Sequence, residues 1–135
     1  MSLSGPVEAG VYVDDMSRCL VESTTKDDRF ALVRWMFSAA AAHPAVATIS
    51  SVTPEQLVAS NKVIADLFMK LLTETCREQT TKALQYEGPT TIALSFQVLG
   101  QVAGNELFSS PEVAQAMSGL EKYADNKKIE ALVKQ

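Results

Sequence analysis

Cys19, Cys76 and the lone His43 hold most of the reactive chemistry of this chain. The two cysteines are far apart, fit no C-x-x-C spacing, and each falls on an expected helix. One long-range disulfide in an exported protein suits that pattern better than a metal or redox site. The chain-entropy relation assigns closure of so long a loop about 4 kcal/mol, less any native strain. The alternative is a pair of buried free thiols acting as small hydrophobes. His43 precedes Pro44 at the end of an apolar stretch, where an imidazole can bind the last carbonyls and complement the negative helix end. As the only imidazole it is also the one base that a serine, threonine or cysteine nucleophile could use.

Other chemistries find little support. One histidine and two distant cysteines give no metal-ligand cluster. Asp14-Asp15 and Asp27-Asp28 match no calcium loop and sit near helix starts, where negative charge is favourable anyway. No glycine-rich phosphate loop and no G-x-S-x-G elbow occurs. No catalytic residue, metal or cofactor is assigned, and an enzyme is the minority reading. Two features point to recognition instead. Gln97, Gln101 and Asn105 recur at i, i+4, i+8 as an uncharged amide strip able to face a partner without full ionic desolvation. An ordinary solvent-facing stripe is the plainer account of the same residues. Arg34 interrupts an otherwise apolar helix and is expected to snorkel or pair with a carboxylate, with anion binding as a secondary role.

The elements that must place these groups all read as helices. Thr53-Pro54-Glu55-Gln56 puts a hydroxyl at the N-cap, proline at the first helical position and glutamine where it can close a capping box; Ser110-Pro111-Glu112 opens in the same way. Thr25-x-x-Asp28 and Asp125 supply further caps, and Gly88-Pro89 stops one helix and starts the next. In the first helix, about residues 11 to 22, Tyr12, Met16, Cys19 and Leu20 share a face. The second helix, running to Ala42, is apolar on two sides. Phe30, Val33, Phe37 and Ala40 make one face, and Leu32, Trp35, Met36 and Ala39 most of the other, so it should lie centrally with Trp35 and Phe37 buried.

From Pro54 to Glu87 the stripe of Leu57, Ile64, Leu67, Phe68 and Leu71 loses phase near residues 73 to 76. Either a bend or a break into two helices would then allow a new inward row of Cys76, Thr80, Ala83 and Leu84. The next helix, 89 to 108, carries Ile92, Phe96, Leu99, Ala103 and Leu107 on one side. Ala93, Gly100 and Gly104 lie beside them as a strip for close backbone approach. Val113, Met117 and Leu120 give a short helix its apolar side; Ile129, Leu132 and Val133 do so for a last one.

At 135 residues and 47% apolar side chains the chain can build one core. Its net charge of −4 comes with basic residues scattered except for Lys127-Lys128, which argues against nucleic-acid binding. No transmembrane segment is expected, because residues 30 to 49 include Arg34 and His43 and end in a His-Pro break. Residues 1–9 have neither a cationic n-region nor an apolar h-region and read as a disordered segment or a vector-derived scar. A periplasmic or secreted protein without its signal peptide is the preferred account, and a cytoplasmic one the alternative.

Several segments together, Cys19-Leu20-Val21, Leu32-Val33-Arg34-Trp35, His43-Pro44, Leu71-Leu72, Cys76 and Tyr86-Glu87-Gly88-Pro89 through Ser95-Phe96-Gln97-Val98-Leu99-Gly100, resemble an uncharacterised family of small exported bacterial proteins. The resemblance covers most of the chain from about residue 10. It implies a signal peptide and a periplasmic location, and it carries no activity and no functional residues.

The expected fold over residues 10–135 is a compact all-α bundle of five to seven helices with a central apolar helix and one disulfide. The expected function is non-enzymatic binding of a periplasmic protein, in the manner of an inhibitor or immunity protein. A carrier holding a small apolar ligand between helices is the alternative, and an unusual hydrolase using His43 the third reading.

Overall fold

The computed structural model describes residues 10–134; the expectations for residues 1–9 and for Gln135 lie outside them. Every regular element among the described residues is helical. In chain order these are α1 (Val11–Ser23), α2 (Lys26–Ala40), the one-turn α3 (Pro44–Ala47), α4 (Pro54–Lys70), a π-helical turn (Leu71–Thr75), α5 (Arg77–Glu87), α6 (Thr90–Phe108), α7 (Pro111–Ser118), a 3-10 turn (Gly119–Tyr123) and α8 (Asn126–Val133). That makes eight α-helices among the described residues where five to seven are expected: the 54–87 stretch takes the divided alternative, and one unexpected turn, α3, forms after His43.

The caps explain why the helices start where they do. The hydroxyls of Thr25 and Thr53 each accept from a backbone N–H at 3.1 Å, of Asp28 and Gln56 respectively, and both side chains return the bond to complete capping boxes. Ser110 accepts from the Val113 N–H, and one oxygen of Asp125 from those of Lys127 and Lys128. Gly88 ends α5 at φ 84°, a left-handed conformation costly for any residue with a Cβ.

The π-turn resolves the lost phase of the long helix. The Cys76 N–H reaches back to the Leu71 carbonyl at 2.7 Å, a five-residue step that inserts one extra residue. Ile64, Phe68, Leu71 and Leu72 are buried before it, and Cys76, Thr80 and Ala83 after it. Leu84, expected in the second row, lies at the exposed margin.

One core joins α1, α2, α4, the π-turn, α5 and α6. Its fully enclosed side chains include Met16, Leu20 and Leu32. Helix α1 packs on α5 and α6, while α2 packs on α4 and α6. Helix α6 thus touches both halves of the core, whereas the second helix, expected to be central, packs on α4 and α6 alone. The Cys19 and Cys76 sulfurs stand at bonding distance, 2.03 Å, with their Cα atoms 6.0 Å apart. They staple α1 to the start of α5.

An unanticipated cap sits at the other end of that pair. The Glu87 carboxylate, at the end of α5, accepts from the N–H groups of Gly10, Tyr12 and Val13 at 2.7 to 3.2 Å. Gly10 has no side chain to cap α1 itself, and a Cβ there would lie 2.5 Å from Glu87 Oε1. Tyr12 stacks on Tyr86 beside this contact, with ring centroids 4.7 Å apart.

An apolar groove as the candidate functional site

Helix α2 buries one of its two apolar faces. Leu32 is 0% exposed, with Trp35 and Met36 packed beside it, whereas Phe30 and Phe37 are each 54% exposed. Trp35 is half-buried rather than enclosed, and its indole N–H donates to Asn61 Oδ1 of α4 at 2.9 Å. The expectation that Phe37 fills the core is therefore overturned. Helices α4 and α6 flank α2 and cover its Leu32 side, and among the described residues no further element covers the side opposite.

The uncovered face is the floor of a groove of about 1140 Å³. Phe30, Val33, Arg34 and Phe37 come from α2; Ala59, Ser60 and Val63 from α4 form one wall; Leu107 with Pro111 and Val113 from the α6–α7 junction form the other. Ser51 and Val52, before α4, also contribute. Ser38 also lines it, and its hydroxyl is satisfied within α2 by donating to the Arg34 carbonyl at 2.8 Å.

Charge lies at the groove edge, from Asp27 and Arg34 on α2 and Glu106 and Glu112 on the opposite wall. Glu106 is committed to Arg29, whose Nε donates to it at 3.1 Å while the same guanidinium binds the Thr24 carbonyl. The Glu112 carboxyl is held below its ordinary range by its own backbone N–H and by the Ser110 hydroxyl, so it stays ionised under mildly acidic conditions. Arg34 is exposed and forms no ion pair among the described residues, so its guanidinium is available at the edge.

His43 has a structural contact of a different kind from the expected one. Its Nδ1 accepts from the Ala45 N–H at 3.0 Å, capping the start of α3 rather than binding the end of α2. The reason is that His43 is extended and occupies the N-cap of α3, whose first N–H groups have no partner within the helix. No group of three or more His, Cys, Asp or Glu among the described residues is placed to hold a metal ion. Cys19 lines a smaller cleft of about 370 Å³ whose other walls are mostly charged or polar, among them Asp15, Arg18, Glu22 and Lys82.

The amide strip lies away from the groove. Gln97, Gln101 and Asn105 are exposed on the side of α6 opposite Thr91, Ser95, Leu99, Val102 and Ala103, which are buried. Relative to the expected face, α6 is turned by roughly 60°, so that Phe96 and Leu107 sit at its edges. Phe96 keeps its ring against buried Phe68, with centroids 4.0 Å apart. Gly100 and Gly104 also turn outward, and a Cβ on either would meet nothing within 4 Å. The close-approach role expected for those glycines is overturned with them.

The groove itself had a visible but ambiguous signal, the second apolar face of the 30–42 stretch. Of the candidate residues read from the sequence, Arg34 alone lies in it. No protein-family profile, curated protein or solved structure matches this chain.

Proposed function

We propose that this is a small exported protein that acts by binding another protein, receiving an apolar segment of that partner in the α2–α4–α6 groove. The observation that supports this reading is the half-exposed pair Phe30 and Phe37 on the floor of an open, hydrophobic groove. Aromatic side chains in a concave setting, ringed by charges, are the usual anchors of protein interfaces. A carrier of small ligands generally encloses most of its cargo's surface, and this groove is open along its length. An amphipathic helix needs cover on one side only, which an open groove provides. The cysteine pair supports a periplasmic or extracellular setting. No described helix is long and apolar enough to cross a membrane.

The test is site-specific photo-crosslinking in cells exporting the protein. A photoreactive residue at position 37 or 63 should give a discrete polypeptide adduct, and one at position 97 or 101 should not. Adducts from the amide strip with none from the groove would move the interface to Gln97, Gln101 and Asn105 and overturn the reading.

A further inference from the structure

The same chain carries an unpartnered apolar helix of the kind the groove accepts. Every side chain of α8 is exposed, and Ile129, Leu132 and Val133 share one face of it at the i, i+3, i+4 spacing. At eight residues the helix is about 12 Å long, short enough to lie within the groove with one face down. No side chain between Pro111 and Lys134 is fully buried, so the segment leading to α8 is held by few contacts.

Resting on the reading of the groove as a protein-binding site, we propose that its occupant is α8 of a second copy of this chain, exchanged reciprocally to form a symmetric dimer. Charge complementarity favours this occupant. Around its apolar face α8 presents Lys128 on one flank and Glu130 on the other, and Lys127 and Lys134 make the segment net cationic. The groove lining offers Glu112 on the α7 wall and unpaired Arg34 on α2; with Glu106 neutralised by Arg29, Asp27 and Glu112 still outweigh Arg34 and leave the groove net anionic. A net cationic helix thus meets a net anionic groove. A two-fold exchange uses one groove and one helix from each copy, doubling the buried surface that a single short helix gives. The chain's own α8 is poorly placed for the role: α7 begins in the groove wall, and neither α8 nor the preceding 3-10 turn lines the groove.

The experiment is sedimentation velocity of the full chain over a concentration series reaching the millimolar range. It compares wild type, Phe37→Glu, which blocks the groove, and Leu132→Glu, which blocks the helix. Both positions are exposed, so far-UV circular dichroism of the variants should match wild type; Leu132→Glu should melt with wild type and Phe37→Glu, which loses a half-buried ring, a few degrees lower but still cooperatively. Wild type should dimerise, and each variant alone should weaken association by at least about tenfold. An equimolar mixture of the two variants should partly recover it, because one intact groove then meets one intact helix. Wild type that stays monomeric throughout, a dimer indifferent to Leu132→Glu, or a mixture that gains nothing overturns the proposal. A monomer whose α8 amides are protected from exchange, with protection lost in Leu132→Glu, overturns it in favour of docking within one chain. If the protein is monomeric yet position 37 still crosslinks to a different polypeptide, the exchange fails and the groove keeps its role. If position 37 crosslinks to nothing, both fail.

Discussion

Residues 10 to 108 and residues 111 to 134 are built from the same kind of amphipathic helix, yet only the first stretch buries its apolar faces. Val13, Met16 and Leu20 of α1 are enclosed, whereas Met117, Leu120, Ile129, Leu132 and Val133 stand exposed in a region of similar periodicity. Periodicity states that a face wants cover, and neighbours decide whether it gets any. In the first region α1, α2, α4, α5 and α6 supply one another with partners, and the cysteine pair and the Glu87 cap tie α1 to both ends of α5. In the second, a short helix, a 3-10 turn and another short helix follow in line, with only the start of α7 held against α6. Helix α2 contains the same contrast in miniature, with one face in each condition.

The contrast is most sharply exposed by perturbing the stapled region. Replacing both Cys19 and Cys76 with Ala should lower unfolding free energy by about 4 kcal/mol, read from urea denaturation with wild type run oxidised and reduced. Leu32→Ala should cost about 2 to 5 kcal/mol in the same assay, because its side chain is wholly enclosed. Next in size is Glu87→Ala. It removes the acceptor for three N–H groups at the start of α1 and should cost about 1 to 2 kcal/mol, with faster amide exchange at Tyr12 and Val13 than elsewhere in α1. Unchanged exchange at those two amides would break the claim that α5 caps α1.

Two further substitutions should act in the opposite direction or scarcely at all. Gly100→Ala and Gly104→Ala should each stabilise the protein by up to about 1 kcal/mol, since the added methyl meets open space and gains helix propensity. Destabilisation would restore the close-packing role for these glycines. Leu132→Asp should shift unfolding free energy by no more than about 0.5 kcal/mol. A larger loss would mean that α8 belongs to the core after all.

Local chemistry was the most legible part of the fold. The caps at Thr25, Thr53, Ser110 and Asp125 and the stop at Gly88 each depend on residues a few positions apart, so sequence spacing states them directly. A change of face near residues 73 to 76 was legible too, because the stripe of Leu57 to Leu71 carried on in phase would turn Thr75, Gln79 and Lys82 inward, although spacing did not choose between a bend and a break. Nothing in the sequence chooses between the two apolar faces of α2, since Phe30-Phe37 and Leu32-Met36 are equally hydrophobic and the choice is made by α4 and α6. The turn of α6 follows similarly: Thr91 and Ser95 go inside because the Thr91 hydroxyl can donate to the Ala83 carbonyl and the Ser95 hydroxyl to that of Ile92, which no hydropathy pattern anticipates. The Glu87 cap joins residues 75 positions apart and has no local signature. Of the groove, only Arg34 and the greasy second face of α2 were visible beforehand.

The account turns on whether the Phe30–Phe37 face of α2 is a surface kept open or a core face. The unfolding free energy of Phe37→Ala, measured by urea denaturation of the oxidised protein, tests this most directly. A half-exposed ring on a groove floor should cost about 1 kcal/mol when truncated, well below the loss at Leu32 on the opposite face of the same helix. A loss of about 3 to 5 kcal/mol, the magnitude of an enclosed phenylalanine, would contradict it.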